Sequence, residues 1–165
     1  MRLLLPDVLT DEMVEKLLTL HTREQLNKND AWEVEPMGEI TEIIAQHIPI
    51  QISTPSYFRI ETKPAGHGKH YDGCKMDLTS NHMPWCNWSA VSLLTPPDGF
   101  SGGSLKFYDP EEVYRDELYK SLLLYSSGAA NDPQLHEATP HDDGRRTMLL
   151  MFFQGQNFIG ETYEG

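Results

Sequence analysis

Tyr57-Phe58-Arg59-Ile60-Glu61-Thr62-Lys63-Pro64-Ala65-Gly66-His67-Gly68-Lys69-His70-Tyr71-Asp72 is the stretch from which the rest of the chain can be read. Tyr57 to Thr62 alternates apolar and polar residues and predicts a strand. Pro64-Ala65-Gly66-His67-Gly68 predicts a turn, and His70-Tyr71-Asp72 opens a second short strand. Residues two apart in a strand share a face. His70 and Asp72 can therefore reach one point together while Tyr71 faces away. A strand, a Gly-containing turn and a His-x-Asp pair would set both side chains at the mouth of a barrel.

Outward from this stretch, the N-terminal side reads as helical. Thr10 and Asp11 can cap a helix continuing through Val14, Leu17, Leu18 and His21. A second helix is expected near Glu39 to His47, with Ile40, Ile43, Ile44 and Ile48 on one stripe. Two helices are thus expected before everything else. On the C-terminal side, Trp88 to Thr95 predicts a buried strand, ended by Pro96-Pro97-Asp98-Gly99. Ser101-Gly102-Gly103-Ser104 leads into Leu105-Lys106-Phe107-Tyr108, and Asp109 to Lys120 is expected to be a charged, partly helical connection. Leu122 to Tyr125 and Thr147 to Phe153 predict two further buried strands. Helices first, then many short strands between Gly/Pro turns, predict a mainly β fold. The expected form is a double-sheet jelly roll with helices packed on one side. The 165 residues predict one domain, 1–165. Within it, 1–50 would be helical support, 51–153 the jelly-roll core and 154–165 a tail.

The chain carries 25 acidic against 13 basic residues, a formal net charge of -12. Such a surface repels phosphate backbones and argues against nucleic acid as a partner. No apolar run reaches the length of a membrane span, and Pro6 cuts off Leu3-Leu4-Leu5. A cytoplasmic protein is expected, with Cys74 and Cys86 reduced.

His70 and Asp72 are followed, 64 residues after Asp72, by His136 in Leu135-His136-Glu137-Ala138-Thr139-Pro140. Two imidazoles and one carboxylate on one side of a metal leave three positions open, the ligand set of non-haem Fe(II) oxygenases. Gly144-Arg145-Arg146 comes next, before the long apolar strand. A hairpin near Pro140 to Gly144 would bring Arg146 back alongside His136. Arg146 could there hold the far carboxylate of a co-substrate, because a guanidinium fork matches a carboxylate and keeps its charge. Arg145 is the rival; the Gly-x-Arg spacing favours Arg146. Ser101-Gly102-Gly103-Ser104-Leu105 would let backbone pack closely at a sheet corner.

The ordered set His-x-Asp, Gly-Gly-x-Leu, His-Glu-x-x-Pro and Gly-x-Arg before an apolar strand resembles the Fe(II)- and 2-oxoglutarate-dependent dioxygenases. Within them it is most similar to the prolyl 4-hydroxylase group. The likeness covers roughly Tyr57 to Phe153. It implies a double-stranded β-helix, with iron on His70, Asp72 and His136 and the distal carboxylate of 2-oxoglutarate on Arg146. It also implies O2 as co-substrate, ascorbate as a reductant, and a proline-containing peptide or protein as substrate. The family often carries a tyrosine nine or ten residues before the first ligand. Here Glu61 and Ile60 stand there, and Tyr57 is the nearby candidate for that role. The competing functions are a hydroxylase of a free amino acid or small metabolite, and a jelly-roll binding module that has lost catalysis. The intact set of His70, Asp72, His136 and Arg146 argues against the second.

The remaining candidates have plainer readings. Cys74, Asp77, His82 and Cys86 match no tight zinc spacing and are expected to be ordinary loop residues. Gly73 to Asn87, with Met76, Met83 and Trp85, is placed either as a lid over the substrate or as a surface loop. His67 and His141 are expected to face solvent, and His21 and His47 to lie on helix surfaces. Phe158 and Tyr163 in the tail could dock on the sheet.

Overall fold

A six-stranded sheet dominates the structure, a computed structural model that describes residues 1–20, 31–51, 56–73, 83, 85–142 and 146–155. Its strands are β1 (Arg2–Leu5), β2 (Ala31–Val34), β3 (Tyr57–Glu61), β5 (Trp88–Leu93), β8 (Leu122–Ser126) and β10 (Met148–Phe153). They lie in the order β1-β8-β5-β10-β3-β2, and every neighbouring pair is antiparallel. A second, antiparallel sheet holds β4 (His67–His70), β6 (Leu105–Phe107), β7 (Glu112–Tyr114) and β9 (His136–Ala138), in the order β4-β9-β6-β7. The described helices are α1 (Asp11–Leu18) and α2 (Gly38–Ala45).

Period-two alternation gives the large sheet two apolar faces. Phe58, Ile60, Trp88, Ala90, Leu122, Leu124, Leu149, Met151 and Phe153 share one cluster with Val14 and Leu17 of α1 and Ile40 and Ile44 of α2. The other face carries Val91, Leu93, Leu123, Tyr125 and Met148, packed against Leu105 and Phe107 of the small sheet. Helices therefore cover one face and the small sheet covers the other. Both β5 and β8 are accordingly buried along their whole length, which β8 shows in sequence as the run Leu122-Leu123-Leu124-Tyr125. The Thr10 hydroxyl caps α1 by accepting from the Met13 N–H at 3.1 Å.

Several expectations need correction. The helices do not come first. Arg2–Leu5, the short apolar run that Pro6 cuts off, is an edge strand pairing with β8 from Arg2↔Tyr125 to Leu5↔Leu122. A further strand, β2, lies between the helices and pairs with β3. α1 ends at Leu18, and His21 lies outside the described residues. The Asp109 to Lys120 segment is not simply a connection: it contains β7 and a single 3-10 turn at Asp116–Leu118. β9 and β10 are not paired with each other as the expected hairpin requires, because β9 belongs to the small sheet and β10 to the large one.

Candidate metal centre and its cavity

The bulged pairing of β4 with β9 creates the site. His70 and His136 are register partners across this antiparallel pair, so both rings stand on one face, with centroids 4.4 Å apart. Asp72 joins them from just past β4, in a bend rather than by strand alternation. One Asp72 oxygen, Oδ1, lies 3.3 Å from His70 Nε2 and 3.2 Å from His136 Nε2. One ligating atom from each residue lies within 4.8 Å of the others.

Each histidine is held from behind. The His70 Nδ1–H donates to the Gly68 carbonyl at 2.7 Å, and the His136 Nδ1–H to the Gln134 carbonyl at 2.8 Å. These bonds engage Nδ1 of each ring with backbone, so Nε2 is the nitrogen each ring turns toward the cluster and would offer to a metal. Asp72 is oriented by Tyr125, whose hydroxyl donates to Oδ2 at 2.6 Å. Burial alone would raise the Asp72 pKa, but the two histidines outweigh it and hold the carboxyl well below its usual range. Burial and the Asp72 carboxylate together push the Tyr125 phenol well above its ordinary value, so it stays a donor. Against desolvation, which would lower it, Asp72 and the Gly68 carbonyl raise the His70 pKa.

An inner cavity opens beside the cluster. Arg146 and Glu61 line it with the three candidate ligands, and Val91, Leu105, Met148 and Leu150 supply apolar wall. Arg146 is 5% exposed. Its Nε donates to the Gly103 carbonyl at 3.2 Å. Its Nη atoms make no hydrogen bond or ion pair among the described residues. Burial lowers its pKa, and the charge of Glu61 partly opposes that. A buried guanidinium with two free nitrogens beside a cavity is suited to an anion. Gly103 makes room for it: at φ +74°, a Cβ there would lie 2.5 Å from Arg146 Cδ. Arg145 lies outside the described residues.

The structure thus brings together His70, Asp72, His136 and Arg146. It does not bring Tyr57 to Arg146. Tyr57 lies on β3 at the far end of the Tyr57, Arg59, Glu61 face and lines an outer cleft instead. At the positions where the family often has a tyrosine, Ile60 is fully buried in the helix-side core, whereas Glu61 faces the cavity. Glu61 Oε2 pairs with Arg59 Nη2 at 2.9 Å, and Oε1 lies 3.3 Å from His67 Nε2. Although burial opposes it, His67 and Arg59 hold the Glu61 carboxyl below its ordinary value.

The outer cleft, about 720 Å³, leads to the cluster past Met83 and Trp85. Cys74, Met76, Asp77 and His82 lie outside the described residues, as do Phe158 and Tyr163. Cys86 is fully buried and its thiol is pushed up to about 12, chiefly by burial and then by Asp72. His67 does not simply face solvent, since it lines both cavities. His141 also turns inward, contacting the Thr62 carbonyl through Nε2, with its ring centroid 6.2 Å from that of Phe100. His47 is exposed. Tyr125, Glu61 and His67 are site residues that sequence reasoning missed.

No protein-family model matches the chain. A PKHD-type hydroxylase of Shewanella sp. (strain ANA-3) is 28% identical over 148 residues, covering 82% of this chain and 61% of the relative. The PKHD-type hydroxylase YbiX of Escherichia coli is 27% identical over 139 residues, covering 79% and 59%. The chain therefore matches about three fifths of the length of these curated relatives. Among solved structures, a viral collagen prolyl hydroxylase from Paramecium Bursaria Chlorella virus-1, in a 2-oxoglutarate complex, superposes with a TM-score of 0.66 at 14% identity. That match covers 93% of this chain and 95% of the other. The chain is thus similar in sequence to PKHD-type hydroxylases and shares its fold with prolyl hydroxylases and with an oxidoreductase of the 2OG-Fe(II) oxygenase family from Burkholderia pseudomallei. A prolyl hydroxylase from Trichoplax adhaerens, in complex with a hypoxia inducible factor oxygen degradation domain peptide fragment, also shares the fold. Its TM-score is 0.61 at 14% identity, with 93% and 83% covered.

Proposed function

We propose that this protein is an Fe(II)- and 2-oxoglutarate-dependent dioxygenase that hydroxylates a prolyl residue in a peptide or protein. The observation that carries this is the convergence of His70 Nε2, His136 Nε2 and Asp72 Oδ1, with both Nδ1 atoms already committed to backbone carbonyls. Two neutral nitrogens and one anionic oxygen suit Fe(II), and ligands from one side leave room for other groups. The two facing sheets are read as the double-stranded β-helix of this superfamily, with the site at one end.

Bound there, the metal with 2-oxoglutarate and O2 would supply oxidative decarboxylation to succinate and CO2, coupled to insertion of one oxygen atom into a substrate C–H bond. The chain's own groups do the rest. Arg146 takes the distal carboxylate of 2-oxoglutarate on its free Nη atoms. Val91, Leu105, Met148 and Leu150 wall the inner cavity and limit water. Tyr125 fixes the Asp72 carboxylate so that Oδ1 faces the histidines. Tyr57 belongs to the outer, substrate-side cleft in this reading. Proline as the target draws support from the prolyl hydroxylase fold neighbours and the peptide bound to one of them.

The test is mass spectrometry of proline-containing peptides incubated with the protein, Fe(II), 2-oxoglutarate and air. A gain of one oxygen on proline, dependent on 2-oxoglutarate, is expected. Oxygen gain on free amino acids with none on peptides would instead support the small-metabolite reading.

A further inference from the structure

The outer cleft is cationic, in a chain whose net charge is -12. Its described ionisable walls, apart from the candidate ligands and tyrosines, are Arg59, Lys63, His67 and Lys69. Arg59 is already paired with Glu61. Lys63 and Lys69 are not paired with any carboxylate among the described residues. The Lys63 ammonium donates to His67 Nδ1 at 3.2 Å, and that of Lys69 sits 4.4 Å from the Tyr108 ring centroid. Lys63 holds a φ of +24°, a conformation that costs energy for a residue with a side chain. Tyr57, Tyr71, Trp85 and Phe152 give the same cleft apolar and aromatic surface. Lys69 lies on β4, an edge strand with β9 as its described neighbour, and edge strands accept extended peptides.

We infer that the preferred substrate is an acidic peptide, carrying aspartate or glutamate beside the hydroxylated residue, with Lys63 and Lys69 receiving its carboxylates. This rests on the hydroxylase reading above. The acidic remainder of the surface repels such a peptide while the cleft attracts it, so charge serves to orient as well as to bind. Aromatic walls beside the two ammonium groups fit a prolyl ring flanked by charge.

The experiment compares three peptides, Ala-Glu-Pro-Glu-Ala and its counterparts with glutamine or lysine in place of both glutamates. Each is presented to the full chain with Fe(II), 2-oxoglutarate and air, and both peptide oxygenation and succinate are measured. The acidic peptide should exceed the glutamine peptide in kcat/KM by about five- to tenfold, the scale of two partly exposed ion pairs. The preference should shrink in about 0.5 M salt. Lys63→Gln and Lys69→Gln should each narrow it, and the double charge reversal Lys63→Glu with Lys69→Glu should shift it toward the lysine peptide. Equal turnover of all three peptides by the wild type, or an acidic preference retained by all these variants, overturns the inference and leaves the hydroxylase reading standing. Succinate without oxygenation of any peptide also overturns it. Absence of both products removes the hydroxylase reading and this inference together.

Discussion

Replacing Tyr125 by phenylalanine isolates a single hydroxyl whose task is to orient Asp72. The Tyr125 O–H donates to Asp72 Oδ2 at 2.6 Å, and the two residues are 2% and 8% exposed. The phenyl ring can keep its packing, with Phe107 and His136 centroids each 5.1 Å away, so no cavity opens. What is lost is a hydrogen bond to a charged acceptor, about 1.5–3 kcal/mol. At about 2–4 °C per kcal/mol for a chain of this size, Tm should fall by about 3–12 °C in the metal-free protein. The carboxylate also loses the contact that directs Oδ1 toward His70 and His136. Losses of such outer contacts weaken metal binding about 10–100-fold. Anaerobic calorimetric titration of metal-free protein with Fe(II), alongside thermal unfolding, measures both quantities. Fe(II) affinity within twofold of wild type, with Tm changed by less than about 2 °C, would refute the reasoning that Tyr125 holds Asp72 in place.

Other perturbations probe separate parts of the account. Arg146→Ala should raise the 2-oxoglutarate concentration needed for half-maximal turnover by about 100-fold, and Arg146→Lys should restore only part of it, because the ammonium lacks the fork; steady-state kinetics decide, and an unchanged requirement would remove Arg146 from the site. Arg2→Ala should destabilise the fold by about 2–4 kcal/mol, read by urea unfolding. Its nearly buried guanidinium donates to Gln134 Oε1 and to the carbonyls of Tyr108 and Pro110, and it stacks on Phe107, tying β1 to the segment behind His136. Cys86, with its thiol near 12, should remain unlabelled by iodoacetamide in native protein at pH 8, where roughly one part in ten thousand is thiolate; peptide mapping before and after denaturation checks this.

The chemistry-bearing residues were legible because the reasons for their choice are local. His-x-Asp and a distant histidine are ligand types, and a guanidinium is a carboxylate partner, whatever the path between them. The apolar runs of β8 and β10 also announced themselves, since strands buried on both faces need no polar alternation. What failed was long-range pairing. Arg2–Leu5 has no strand signal beyond a few leucines, and becomes a strand by pairing with β8, more than a hundred residues away. The path from His136 to Arg146 contains turn residues that read as a hairpin, yet β9 and β10 pair with partners in different sheets. Asp72 reaches His70 through a bend, so strand alternation was an incomplete argument for bringing the two side chains together. Tyr125 looked like one more core aromatic, because nothing in Leu122-Leu123-Leu124-Tyr125 marks the one side chain facing a carboxylate. Glu61 marked a departure from the family pattern, and its buried contacts with Arg59 and His67 emerge only in three dimensions.

Succinate formed from 2-oxoglutarate under air tests the central claim most directly, with wild-type protein and His136→Ala compared side by side at one equivalent of Fe(II). The account predicts Fe(II)-dependent succinate from the wild type and essentially none from His136→Ala, while a folded His136→Ala retains its thermal unfolding transition. Equal succinate from both proteins, or none from a wild type that also fails to bind Fe(II), would contradict it.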